Sequence, residues 1–137
     1  MSLPTKSEKR WQQRFHNFEQ AMGKLTDAVQ QESYSDLERA GLIKTTDFSF
    51  ELAWKTLKDL LEYEGYEVKT PRMVLKQAFK SEYIQDGNKW LDLLDKRNFL
   101  AHVYDDVFSK EVVLLIKEQY YPLLKDLYES LKKERLK

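Results

Sequence analysis

The sequence has no cysteine. That excludes a disulfide framework, a thiol nucleophile and a thiolate zinc site, and it suits a reducing compartment. Histidine is almost as scarce, with two in 137 residues. The longest unbroken apolar run, VVLLI at 112–116, falls far short of the roughly 20 residues that a membrane-spanning helix needs. No signal-peptide pattern opens the chain, so the expectation is a cytoplasmic protein with no membrane association. Charge of one sign is also missing: 23 Lys and Arg balance 23 Asp and Glu, so no global field draws the chain to a polyanion and any phosphate contact must be local. Four glycines and three prolines leave little turn material for a many-stranded fold. These absences predict an all-α protein with no metal and no cofactor.

What is present is helical periodicity. At this length the chain is expected to form one domain, residues 5–135, built as an up-and-down antiparallel bundle of about five helices. Trp11, Phe15, Phe18, Met22, Leu25 and Val29 recur every three or four residues, the apolar stripe of a first helix from near Thr5 to near Gln31. The opening MSLPTK reads as a frayed start rather than structure. Ser35 and Glu38 have capping-box spacing, and Gly65 supplies a left-handed stop. Between them Ile43, Phe50, Trp54, Leu57 and Leu61 mark a second helix of about 29 residues, about 43 Å long.

Thr70 and Pro71 open a short third helix. A fourth starts near Gly87, with Trp90, Leu93 and Leu94 facing inward. A fifth is expected to begin with Ser109 as its cap and Glu111 in its first turn. Pro122 should then kink it or start a separate helix. The basic end, with Lys132, Lys133, Arg135 and Lys137, suits a helix C-terminus.

The stretch RNFLAHVYDD, 97–106, concentrates chemistry. On an ideal helix Asn98 and His102 share a face and Arg97 nearly shares one with Tyr104, whereas Arg97 and His102 lie about 140° apart. They converge only if the helix ends near His102 or if two copies meet across a twofold axis. Converged, they form a metal-free kit for phosphodiester chemistry. Histidine moves a proton near neutrality, and arginine holds a phosphate bidentately and stabilises transition-state charge. The 2′-hydroxyl of RNA supplies the nucleophile. The structural alternative has His102 capping the fourth helix and Arg97 paired with Asp105 or Asp106.

Arg-Asn-x3-His-x-Tyr, here Arg97, Asn98, His102 and Tyr104, resembles the Arg-x4-6-His signature of the HEPN superfamily. The blocks SDLERAGLIKTTDFSFELAWKTLKDLLEYEG, TPRMVLKQAF and WLDLLDKRNFLAHVYD resemble, in order and spacing, the bacterial nucleotidyltransferase substrate-binding proteins. The likeness spans about residues 8–131. It implies a helical bundle that forms a homodimer and pairs with a minimal nucleotidyltransferase encoded nearby. In that view the chain resembles the helical domain of kanamycin nucleotidyltransferase and completes the partner's nucleotide or substrate site. Related HepT-type proteins imply a second reading: a metal-independent endoribonuclease of a toxin–antitoxin pair, silenced by nucleotidylation. Carried over, Arg97 and His102 would be catalytic, Asn98 would orient them, and Tyr104 would be the modification site. Whether the chain is an enzyme or a non-catalytic subunit stays open.

Other features have simpler readings. Arg72, Lys76 and Lys80 stand four apart with no acid among them, a basic stripe for an RNA backbone, an acidic partner or plain solvent. Asp47 and Glu51 are one turn apart but have Lys44 and Lys55 at ion-pair spacing. His16 reads as a surface or packing residue. Trp54 and Trp90 read as core residues, or as stacking surfaces if a cleft exposes them.

Overall fold

The structure is a computed structural model that describes residues 3–101 and 106–137, with the side chains at 99, 101 and 106–109 outside the description. Among the described residues there are no strands. The helices are α1 (Lys6–Val29), α2 (Asp36–Tyr63), α3 (Pro71–Lys80), α4 (Gly87–Ala101), α5 (Asp106–Leu115) and α6 (Tyr121–Arg135), with a π-helical turn, Ile116–Tyr120, between the last two. α5, the π turn and α6 run without a break, so the described residues form five helical rods.

Local chemistry sets most of the boundaries. The Thr5 hydroxyl accepts the Glu8 N–H at 3.1 Å, which makes the end of the opening segment a cap rather than frayed chain. At α2 the Ser35 hydroxyl accepts the Glu38 N–H and the Glu38 carboxylate accepts the Ser35 N–H, a complete capping box. The far end of α2 closes with Tyr66 N–H on the Leu61 carbonyl and Gly65 N–H on Glu62, with Gly65 at φ 98°. α3 ends on the same pattern, Tyr83 N–H to Ala78 and Glu82 N–H to Phe79. There the left-handed residue is Glu82, at φ 66°, a conformation that a Cβ makes costly.

The C-terminal rod departs from expectation at its start. α5 is already helical at Asp106, so Ser109 lies inside it and is not its N-cap. Pro122 is absorbed by a wide turn. Proline has no N–H to donate and its ring crowds the carbonyl four residues back. The helix responds by opening one turn, with Tyr121 N–H reaching back five residues to Ile116.

The rods pack up and down. Contacts pair rising with falling residue numbers: Arg14 with Asp59 across α1 and α2, Phe50 with Trp90 across α2 and α4, and Thr26 with Tyr121 but Glu19 with Tyr128 across α1 and α6. Trp11, Phe15, Phe18 and Leu25 from α1 meet Leu57 and Leu61 of α2 and Leu127 and Leu131 of α6 in the core. Trp90 and Leu93 are buried as the stripe predicts, and Leu94 packs at the edge. The buried hydroxyls of Thr46, Ser49 and Thr56 donate to carbonyls one turn back at 2.7–2.8 Å, so none of the three is stranded in the core. At the basic end, Arg135 lies over the Phe15 ring and faces Glu19 at 3.6 Å.

Candidate functional site

α4 presents Arg97 to the middle of α2. Its Nε donates to Asp47 at 2.9 Å and its Nη2 pairs with Glu51. Asp47 and Glu51 are one turn apart on α2, so one flat guanidinium spans both. Glu51 is braced in turn: the indole N–H of Trp54 donates to it at 3.0 Å, and Lys55 pairs with it at 3.0 Å. Beneath the guanidinium lies Phe50, fully buried, with its ring centroid 6.0 Å from the Arg97 Cζ. Phe50 packs on Trp90 at 5.6 Å and on Tyr120 at 5.8 Å.

Tyr120 links this floor to the π turn. Its hydroxyl donates to the Leu93 carbonyl at 2.6 Å, the same carbonyl that the α-helical ladder pairs with the Arg97 N–H. The wide turn demanded by Pro122 thus helps to fix the part of α4 that carries Arg97. Burial raises the Tyr120 phenol above its ordinary pKa, with the nearby charges of Asp92 and Asp47 adding to the effect.

The electrostatics of the cluster are balanced. Arg97, Asp47 and Glu51 are each a little over a quarter exposed. Burial alone would push Glu51 up, but the hydrogen bonds from Trp54 and Lys55 and the charge of Arg97 outweigh it and hold the carboxyl below its ordinary value. Burial likewise opposes the charged form of Arg97, and the two carboxylates more than restore it. Two acids face two bases, so the formal charge of Asp47, Glu51, Lys55 and Arg97 sums to zero.

Several sequence expectations change here. Glu51 does pair with Lys55, but Asp47 is bound by Arg97 from another helix. The positions offered earlier as Arg97 partners, Asp105 and the side chain of Asp106, lie outside the described residues, as do His102 and Tyr104. Asn98 is exposed next to Arg97. Trp54 is half-buried, and its polar edge serves Glu51. His16 is on the surface. The partnership of Asp47 and Glu51 with Arg97 is what sequence reasoning missed. A signal existed: two acids one turn apart beside the largest aromatic of an otherwise apolar stripe.

The basic stripe of α3 is exposed but not uniform. Arg72 is paired with Asp95 of α4 at 2.5 Å, so an acid does reach the first of the three cations. Lys76 and Lys80 line a separate groove against the start of α4.

Comparison with known proteins places this architecture. A crystal structure of a protein from Thermus thermophilus superposes with a TM-score of 0.75 at 25% identity, covering 84% of this chain and 98% of that one. A curated relative from Haemophilus influenzae, described as a probable ribonuclease HepT, is 27% identical over 100 residues, 66% of this chain and 68% of the relative. Residues 13–133 match the family described as nucleotidyltransferase substrate binding protein like. With that match across nearly the whole helical bundle, the chain belongs to the HEPN-like nucleotidyltransferase substrate-binding protein family.

Proposed function

We propose that the chain is the helical subunit of a two-part system: it binds a separate minimal nucleotidyltransferase, encoded nearby, and contributes to that enzyme's nucleotide or substrate site. The observation that carries this reading is the charge-matched setting of Arg97. Two carboxylates hold the guanidinium, with Nε on Asp47 and Nη2 on Glu51, while Nη1 has no partner among the described residues and is the group that meets a phosphate oxygen. With its own charge already neutralised, the cluster has little pull on a free polyanion. Further cations have to come from another surface, which is what a subunit that completes a partner's site requires. Arg97 is the phosphate contact in this reading, and Asn98 the exposed amide that orients it.

The Haemophilus influenzae relative favours a second reading, a metal-independent endoribonuclease. In it His102 takes the proton of an RNA 2′-hydroxyl, whose oxygen attacks the adjacent phosphorus. Arg97 stabilises the added negative charge, and the 5′-oxygen leaves as it takes up a proton from solvent water, to which His102 later returns its own. The products are a 2′,3′-cyclic phosphate and a 5′-hydroxyl. A homodimer would bring two motifs together, and nucleotidylation of Tyr104 would place a bulky anion beside Arg97 and silence the site.

The test mixes the purified chain with its neighbouring nucleotidyltransferase and follows complex formation, nucleotide transfer and RNA integrity in EDTA. The expected result is a complex whose transfer activity is lost with Arg97→Ala while assembly survives, and RNA left intact by the isolated chain. EDTA-resistant cleavage by the isolated chain, abolished by His102→Ala, would overturn it in favour of the ribonuclease.

A further inference from the structure

The groove between the end of α3 and the start of α4 has a composition that the Arg97 cluster lacks. Its volume is about 480 Å³, and Leu75, Phe79 and Leu91 supply its apolar surface. Phe79 is half exposed. The backbone at Gly87 approaches its ring so closely that a Cβ there would stand 3.2 Å from the ring's Cγ. The glycine therefore lets the aromatic lie against the first turn of α4 with half its surface open.

Lys76 and Lys80 flank this ring on the same α3 face, with Cβ atoms about 5–6 Å apart. Among the described residues neither is ion-paired, unlike Arg72 one turn earlier. Gln85 and Asn88 stand at the rim, exposed and with no side-chain hydrogen bond among the described residues. Asp86 is the one acid in the groove, and it is occupied in accepting the Lys89 N–H at 3.1 Å.

We propose that this groove binds single-stranded RNA, with a base against Phe79, its edge met by Gln85 or Asn88, and the flanking phosphates on Lys76 and Lys80. An open aromatic surface beside unpaired cations is the combination that holds single strands without a global positive charge. Amides with free donors and acceptors suit base edges, whereas a docking protein helix would call for a longer apolar strip. The larger cleft between α1 and α6, about 870 Å³, also has two lysines, Lys24 and Lys125, but more acids than bases. It contains Glu19, Asp27 and Glu129, and its tyrosine hydroxyls are committed to Glu19 and Thr26. The proposal goes beyond the function proposed above and holds whether or not RNA is cut.

The probe is a fluorescein-labelled single-stranded 2′-O-methyl oligouridine, which lacks the nucleophile for cleavage, followed by anisotropy with the full chain. Wild type should bind, and more weakly as potassium chloride rises. Phe79→Ala should weaken binding by about tenfold or more. Lys76→Glu with Lys80→Glu should abolish it, whereas Lys24→Glu with Lys125→Glu, the same charge change at the other cleft, should leave most of it. Circular dichroism checks that each variant is folded. No binding by wild type, or equal binding by Phe79→Ala, would overturn the proposal. So would loss of nucleotidyltransferase capture in the α3 variants with RNA binding unchanged, which would make the groove a protein contact.

Discussion

Arg97 and Lys76 are both cations near α4, yet the fold treats them oppositely. Arg97 sits over a buried aromatic and bridges two carboxylates, on a stretch of α4 whose Leu93 carbonyl accepts the Tyr120 hydroxyl. Lys76 and Lys80 stand beside a half-open aromatic with no ion-pair partner among the described residues. The comparison teaches that the position of a cation in sequence says little about its availability. What matters is whether a neighbouring helix has already matched its charge.

The sharpest way to test this contrast is through the two aromatics. Phe50→Ala removes the floor under Arg97 and leaves a cavity among Trp90, Tyr120 and the guanidinium, so unfolding in urea should show a loss of about 3–5 kcal/mol. Phe79→Ala, at a site half open to water, should cost about 1 kcal/mol or less. Equal costs would erase the distinction between a structural and an available aromatic.

The cations come next. Arg97→Ala leaves Asp47 and Glu51 facing each other without their shared partner, and at their partial exposure the expected loss is about 1–2 kcal/mol. The effect should depend on pH. Because Glu51 titrates below its ordinary value of 4.5 in the folded chain, the unfolded chain binds protons more readily. Its contribution is therefore present in full above that value and is lost as pH falls through the lower folded-state pKa. Denaturation curves from neutral to acid pH should show this loss in wild type and a shallower one in Arg97→Ala. A steeper acid loss in the variant would contradict the role assigned to the guanidinium.

Smaller effects sharpen the groove side of the comparison. Glu82→Gly relieves the left-handed residue that closes α3 and should raise stability by about 1 kcal/mol in thermal melts. Lys76→Glu with Lys80→Glu should change stability by less than about 0.5 kcal/mol per substitution. A large loss would show that these lysines hold the fold and are not free for a ligand.

Much of the fold was legible because its signals are local. Thr5, Ser35 with Glu38, Thr70 with Pro71, and Gly65 each act on backbone groups within four residues, and each marks a helix end in the structure. Ser109 looked like another cap, yet it lies inside α5. A capping residue is informative only where the backbone stops being helical, and this helix is already under way at Asp106. Pro122 announced a disturbance, but that it takes the form of a π turn, with Tyr120 buried against Phe50 and bonded to the Leu93 carbonyl, is visible only in the folded chain.

The candidate site divides in the same way. Sequence alone marked Arg97 and Asn98 within a motif, set them on α4, and placed Asp47 and Glu51 one turn apart on α2. It could not join them, because Arg97 and Asp47 are separated by 50 positions and meet only when α4 falls antiparallel across α2. The same packing gave Arg72 its acid, left Lys76 and Lys80 without one among the described residues, and laid Phe79 against Gly87. Helix periodicity and capping are short-range and can be read along the chain. Charge matching and groove shape depend on which helix faces come together, and that is decided by the burial of apolar side chains drawn from every rod.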